Sequence, residues 1–388
     1  MTAVSEKTIP AHITHVDTRT LDSSPGVLTV DLDAIAANWR QLESRAVPAE
    51  CSAVVKADAY GCGLEPVTRK LRSVGCKTFF VATLDEARRV RDIAADAVIY
   101  VLDGYFANSG DAFAKLNCRP VIGDLSELAE WDAFRRTSGW SGLAAIHINT
   151  GMSRLGLNIE EAAGLVPRVQ QGNHGISLVM SHLACAEELN NATNARQAHT
   201  FREIASQFSG VPASLANSSG IFLGQHFHFD MVRPGAALYG VNPTPESDTP
   251  MQPVVDLKAR IVQIRTVQKG ETAGYGALWT AKRPSRLAII SAGYADGYFR
   301  AASGIEGTRS AEVLVAGHRC PLAGRISMDL LTVDITDVAH GAARRGHFVT
   351  LIGDGITVDE LGHHFGTIGY EVLTSLGHRY TRIYRGEV

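Results

Sequence analysis

The chain has 388 residues, 45% of them hydrophobic and 20% charged, with a formal net charge of −3. That is the make-up of a globular protein with room for two domains and cores of ordinary size. Near-neutral charge without a Lys/Arg cluster argues against nucleic acid as the main partner, and no apolar run is long enough to span a bilayer.

Residues 1–24 are polar and mixed in charge. They lack the apolar stretch of a signal peptide and are expected to be a disordered or tag-like tail. A strand is predicted over 26–31, a candidate to pair with the second domain, followed by a helix to 45 capped by Asp31 or Asp33. Eight further strands are predicted over 52–56, 78–82, 98–102, 119–122, 143–148, 176–181, 211–215 and 228–232. Most are near-continuous apolar runs, as strands buried on both faces should be. Helical periodicity falls at 64–74, 84–94, 125–137, 159–170 and 188–208. Strand alternating with helix implies a parallel sheet. Eight such units within 25–252 fit a (β/α)8 TIM-like barrel, a fold typically of about 250 residues. A doubly wound open sheet is the alternative.

Residues 242–255 carry Pro243, Pro245, Pro250 and Pro253 and read as a linker or stiff crossing. Strands are then predicted over 256–267, 287–292, 311–316, 330–334 and 348–351, with 358–365 alone helical. This makes 253–388 a mainly β C-terminal domain. The six cysteines, Cys51, Cys62, Cys76, Cys118, Cys185 and Cys320, match no zinc spacing. Reduced thiols and a cytoplasmic location are the expectation.

The chemistry-bearing residues sit where predicted strands end. Cys51-Ser-Ala-Val-Val-Lys56-Ala-Asp-Ala-Tyr60-Gly-Cys-Gly63 sets a lysine directly after an apolar run. A partly buried lysine loses the solvation that favours its charge and becomes a nucleophile or base. Alone, this residue is better read as a lysine snorkelling at a strand end. Later strand ends change that reading. They carry Asn149-Thr-Gly-Met-Ser-Arg154, Ser181-His182, Ala216-Asn217-Ser218-Ser219-Gly220 and Met231-Val-Arg233-Pro-Gly235-Ala236. Together they make a cationic, hydroxyl-rich mouth suited to an anionic ligand. Barrel enzymes often seat phosphate on the loops after strands 7 and 8, where Ser218, Gly235 and Ala236 fall. A nucleophilic lysine beside a phosphate seat implies pyridoxal 5′-phosphate (PLP).

Other signals are weaker. His226 and His228 alternate on a predicted strand without a carboxylate cluster, so packing is expected and no metal. His363-His364 has no i+4 partner. No Gly-x-Gly-x-x-Gly follows the first strand, which disfavours a dinucleotide enzyme.

The ordered set of motifs resembles the alanine racemase family. Beyond the segments above, it includes Gly274-Tyr275-Gly-Ala, Gly293-Tyr-Ala-Asp-Gly297, Gly324-Arg-Ile-Ser-Met328-Asp329 and Tyr370-Glu, and it spans about Gly26 to Arg385. The resemblance implies a homodimer with shared active sites, a small amino-acid substrate, and interconversion of L- and D-alanine by two bases. In a bacterium the D-alanine would serve the cell wall. By the same resemblance Lys56 holds the cofactor and is one base, and Tyr275 from the other subunit is the second. Arg233 faces the pyridine nitrogen. Tyr60, Ser218, Gly235, Ala236 and Tyr370 hold the phosphate. Arg154 contacts the ring hydroxyl oxygen and the substrate carboxylate, and His182 lies against the ring. Met328 offers its N–H to the carboxylate, and Tyr294 narrows the entrance. A broader substrate range, such as serine, and a non-catalytic PLP-binding role are the alternatives.

The pattern departs from the family at one place. Many members carry a lysine modified to a carbamate on the strand before Gly151-Met-Ser-Arg154. This chain has His147 there and Asn149 at the following acidic position. No carbamate is expected, and the support of Arg154 falls to an anion such as chloride or to a neighbouring side chain.

Overall fold

A computed structural model describes residues 22–172, 174–246, 251–308 and 310–386. Residues 1–21 of the expected tail and 247–250 of the proline-rich crossing lie outside them. Ser24, counted with the tail, is buried; its hydroxyl donates to Gly26 O at 2.6 Å and its carbonyl accepts from Arg260 Nε at 2.8 Å. The chain divides into two compact units. One takes Ala34–Pro253; the other takes the described residues up to Asp33 together with those from Val254 onward.

The strand β1 (Gly26–Asp31) opens the described chain. The Ala34–Pro253 unit then holds β2 (Glu50–Cys51), β3 (Ala53–Val54), β4 (Thr78–Val81), β5 (Val98–Val101), β6 (Arg119–Ile122), β7 (Ala144–His147), β8 (Ile176–Met180), β9 (Ala213–Ser214) and β10 (Met231–Val232). All are paired in parallel, in the order β2-β10-β9-β8-β7-β6-β5-β4-β3. Only Ser52 separates β2 from β3, so both ends of the sheet belong to one strand and the sheet closes. Ser52 N–H donates to Val232 O at 3.1 Å on one side, and Val55 N–H to Phe80 O at 2.9 Å on the other. This is the expected (β/α)8 barrel, and closure removes every sheet edge. Its interior is filled by Val54, Phe80, Tyr100, Leu178, Met180 and Met231, with the Phe80 and Tyr100 rings stacked at 4.9 Å.

Several helices begin at a side-chain cap. Thr83 and Glu86 form a capping box on Leu84–Ile93, Asn158 and Glu161 another on Ile159–Gly164, and Asn191 caps Ala192–Ala205. The last of these is therefore shorter than the 188–208 predicted. The 159–170 segment breaks into Ile159–Gly164 and Val166–Gln170, with Pro167 in the first turn of the second helix. Gly110–Leu116 is a helix that the periodicity did not reveal. After β9 and β10 the chain makes only 3-10 turns, Ser219–Leu223, Gln225–Phe227 and Ala236–Tyr239. His226 and His228 therefore do not alternate on a strand. His228 is buried and its Nε2 pairs with Ile221 O at 2.9 Å, while His226 is exposed.

The second unit is mainly β. It adds β11 (Val255–Val267), β12 (Thr272–Ala273), β13 (Trp279–Thr280), β14 (Ser285–Ile290), β15 (Glu312–Val315), β16 (His318–Pro321), β17 (Leu331–Asp334), β18 (Phe348–Ile352) and β19 (Thr381–Arg385). β1 pairs antiparallel with β11 and parallel with β19, so the first strand belongs to this sheet. β11 serves three ladders: beside β1, it pairs with β18 through Leu257–Arg260 and with β14 from Ile261 onward. The register with β14 shifts between Ile261 and Gln263, a bulge that bends this long strand where its pairing passes to β14. A second helix, Gly369–Thr374, joins the predicted one at Val358–Phe365. Among the described residues no helix is long and apolar enough to cross a membrane.

Candidate active site

The barrel strands point one set of ends at a common mouth. Lys56 stands two residues past β3, His147 ends β7, His182 follows β8 by two residues, and Arg233 follows β10 directly. Ser218 and Arg154 lie on the loops after β9 and β7. Parallel strands of a closed barrel converge on their C-terminal ends, where catalytic groups of this fold gather.

Lys56 is followed by an unusual backbone. Ala57, Asp58, Ala59 and Tyr60 all have φ between 53° and 55°, a left-handed helical turn built from non-glycine residues. Each such residue costs roughly 1–2 kcal/mol, so the turn persists because its surroundings impose it. Gly61, at φ 79°, ends it without that penalty.

Arg233 is buried and surrounded by acceptors. Its guanidinium donates to Ser214 Oγ, to Ser181 O at 2.6 Å and to Leu215 O at 3.4 Å, and meets His182 Nδ1 at 3.4 Å. Burial pushes its pKa down, yet this ring of oxygens keeps the group cationic at neutral pH. Its charge reaches both imidazoles. Burial, then Arg233 and Arg154, hold His182 at about 3 and His147 at about 4, so both rings are neutral at pH 7. The Lys56 amine is likewise lowered, first by burial and then by Arg154, against the opposing pull of Asp103 and Glu86. These mutual fields tie Lys56, Arg154, His147, His182 and Arg233 into one cluster.

Ser218 Oγ accepts the Gly235 N–H at 2.9 Å and the Ala237 N–H at 3.2 Å. With both lone pairs engaged, the hydroxyl keeps its proton to donate. Tyr60 stacks on Tyr239 at 4.7 Å, and a Cβ on Gly235 would strike the Tyr60 hydroxyl oxygen. Burial raises Tyr60 to about 12 and so keeps its O–H. Ala236 opens the 3-10 turn beside it.

Arg154 is exposed and makes no hydrogen bond or ion pair with the described residues. The loop leading to it is wound around Asn149, whose Oδ1 accepts the N–H groups of Gly151 and Ser153 at 3.0 Å each. Asparagine thus shapes this loop without an acid.

The other candidates belong to the β unit. Tyr275 is 70% exposed, in a turn between β12 and β13 where Gly274 and Gly276 take φ of 76° and 77°. Tyr294 and Met328 are brought together: Tyr294 N–H donates to Ser327 O at 3.1 Å and Ala295 N–H to Met328 O at 3.0 Å. Tyr370 lies half-buried on Gly369–Thr374.

Sequence reasoning missed Tyr239, Ser214, Glu86 and Arg89 as parts of this arrangement. Glu86 carried a signal, the Thr-x-x-Glu pattern of a capping box. Ser214 and Tyr239 carried none, because a polar residue in an apolar run is explained only once its partner is known.

The fold and this mouth define a barrel enzyme whose half-buried amine sits among arginines and neutral imidazoles, with a mainly β domain later in the chain. The model of the alanine racemase N-terminal domain matches residues 30–243, and that of the alanine racemase C-terminal domain matches 254–384. The chain belongs to the alanine racemase family, and as a member it is an isomerase of the racemase kind. It is 53% identical to the alanine racemase of Methylobacterium nodulans over 366 residues, covering 94% of this chain and 98% of that protein. Agrobacterium fabrum supplies two relatives. One is a biosynthetic alanine racemase, 42% identical over 95% of this chain and 96% of that protein. The other is a catabolic one, 43% identical over 92% of each. Among solved structures, the Bartonella henselae alanine racemase with covalently bound pyridoxal phosphate superposes with a TM-score of 0.87 at 38% identity, covering 93% of this chain and 99% of that one.

Proposed function

We propose that the protein interconverts L- and D-alanine with PLP as cofactor, attached at Lys56. The observation that carries this reading is a half-buried amine of lowered pKa at the same barrel mouth as a hydroxyl-lined seat for phosphate.

The residues present fit the cofactor. Ser218 keeps a free donor, Tyr60 stays protonated, and Ser219 Oγ is buried without a hydrogen-bond partner. With the backbone of Ala236 beside them, and Gly235 leaving room for the Tyr60 hydroxyl, they offer the neutral donors that a phosphate dianion needs. Tyr370 is proposed as a further phosphate hydroxyl. When bound, PLP supplies an electron sink that acidifies the Cα–H of an attached amino acid.

The chain's own groups do the rest. Arg233 would face the pyridine nitrogen. An always-charged arginine hands over no proton, so the sink stays moderate, which suits an enzyme that only returns a hydrogen. Arg154 would hold the ring hydroxyl oxygen and the substrate carboxylate, and Met328 N–H would meet that carboxylate. His182, neutral, would lie against the ring, and Tyr294 would narrow the entrance. Lys56 Nζ takes or returns the Cα proton on one face, and the partner subunit's Tyr275 does so on the other. Inverting a centre through a planar stage requires a base on each side. The active form is therefore a homodimer with shared sites, and we assign it to the cytoplasm. Relatives of biosynthetic and of catabolic name are 42% and 43% identical to this chain, and supply of D-alanine for the cell wall is the role proposed for it.

The test is to add PLP to the purified protein, trap with borohydride and map the labelled peptide, then follow Cα–H exchange of alanine in deuterated water. Label at Lys56 and exchange of both enantiomers are expected. Label without exchange would leave only a PLP-binding protein, and label elsewhere would remove the reading altogether. Faster exchange on serine or lysine than on alanine would overturn the substrate assignment.

A further inference from the structure

The left-handed turn after Lys56 is gripped from outside by two side chains of another element. Glu86 and Arg89 lie three residues apart, on one face of the helix Leu84–Ile93 that follows β4. Glu86 Oε1 accepts the Ala57 N–H at 2.6 Å, while Oε2 accepts the N–H groups of Ala82 at 2.8 Å and Thr83 at 3.4 Å. A capping box requires only the last of these bonds. The first two tie the strand ends after β3 and β4 to a single carboxylate.

Arg89 holds the next residue of the turn. Its Nη2 donates to Asp58 Oδ1 at 2.6 Å, and the same oxygen accepts the Leu64 N–H at 3.1 Å. Arg89 also clasps Glu65 through Nε at 2.6 Å and Nη2 at 2.7 Å. The grip therefore closes on Ala57 and Asp58, where the backbone has just entered a region that L-residues adopt only under constraint. Lys56 and Tyr60 stand at the two ends of this turn. Lys56 enters it directly, and Tyr60 is its last residue before Gly61.

We propose that Glu86 and Arg89 are positioning residues: by locking the left-handed turn through Ala57 and Asp58, they fix where the Lys56 amine and the Tyr60 hydroxyl point. The proposal rests on the reading of Lys56 as the cofactor lysine. Neither residue touches the cofactor or substrate in this scheme. Glu86 has a second effect, since it and Asp103 are the anions that oppose Arg154 at Lys56.

Three variants separate reach from charge. Glu86→Gln keeps the length and loses the charge, Glu86→Asp keeps the charge and loses the reach, and Arg89→Lys keeps the charge and loses the fork. The cofactor-free full-length proteins are mixed with PLP, and separately with pyridoxal, across a pH series. The rate of covalent capture is read from visible absorbance, the label at Lys56 from borohydride trapping, and folding from thermal melts. Each variant is expected to capture both aldehydes at least about tenfold more slowly, the effect of losing a charge-assisted hydrogen bond. Glu86→Gln is also expected to move the pH midpoint of capture downward, because an anion facing the lysine has gone, whereas Glu86→Asp leaves it in place. Folded variants that capture at the unaltered rate and midpoint overturn the proposal. So does slowing that follows the fraction unfolded in every variant, which is the mark of a purely structural cap. If Glu86→Gln does not fold, Glu86→Asp and Arg89→Lys decide on rate alone. If the unaltered protein takes no label at Lys56, the parent reading has failed, and that outcome is distinct from both.

Discussion

His147 and His182 show how burial sets function one residue at a time. Their folded-state pKa values of about 4 and about 3 lie below the 6.5 of an unfolded histidine. Between pH 6.5 and 4 the unfolded chain therefore binds protons that the folded chain refuses, and stability falls as the pH falls. For His147 the loss by pH 4 is on the order of 3 kcal/mol. Chemical denaturation of the cofactor-free protein at pH 7 and pH 4.5 should show this slope, and His147→Gln should flatten part of it. An identical slope in the variant would place the protons elsewhere. Gly235 makes a second residue-scale point, since a Cβ there meets the Tyr60 hydroxyl oxygen. Gly235→Ala should displace that hydroxyl and weaken binding of PLP by about tenfold, the scale of one hydrogen bond to a charged group. Binding of pyridoxal, which lacks the phosphate, should change little in the same titration.

At the scale of elements, short turns rather than long helices carry the site residues. In the β unit, Asp296 is buried and its Oδ2 accepts the Gly293 N–H at 3.0 Å, while Arg379 joins Asp296 Oδ1 at 2.6 Å to Asp329 Oδ1 at 2.7 Å. This bridge holds the turn of Tyr294 against the loop of Met328. A Cβ on Gly293 would strike the Met328 carbonyl oxygen. Backbone has little room to give, so Gly293→Ala should destabilise the protein by about 1–3 kcal/mol or more. Urea denaturation measures this, and a midpoint within error of the unaltered protein would contradict the close approach. The turn around Lys56 follows the same logic. Apolar periodicity reads through 52–56 as a strand and says nothing about handedness beyond it, because no glycine before Gly61 announces positive φ.

At the scale of the whole molecule, a shared site makes a prediction that a self-contained one does not. Lys56→Ala and Tyr275→Phe homodimers should each be nearly inactive. Co-folded in equal amounts, half of the dimers are mixed, each with one site carrying both changes and one carrying neither. Activity should then return to about a quarter of the unaltered level, by the two-fold symmetry of the assembly. No recovery would mean that each chain completes its own site.

The amino-acid sequence alone determined an alternating α/β unit with a parallel sheet, favoured a barrel over an open sheet, and marked several polar residues at the strand ends. Strands buried on both faces must be apolar runs, so the polar residues that end them, Lys56, His182, Ser218 and Arg233, stand out against their neighbours. Ordered motifs extended that legibility to Tyr275, Tyr294, Met328 and Tyr370, whose surroundings carry no such contrast. Only the tertiary structure decided that β1 joins the sheet of the β unit, through residues such as Val27 and Lys258. It alone showed that Ser52 closes the barrel on Val232, and that Glu86 and Arg89 hold a left-handed turn. Composition and periodicity report how much a residue gains from leaving water. They do not report which distant backbone group it will meet, or the sign of φ that the meeting imposes.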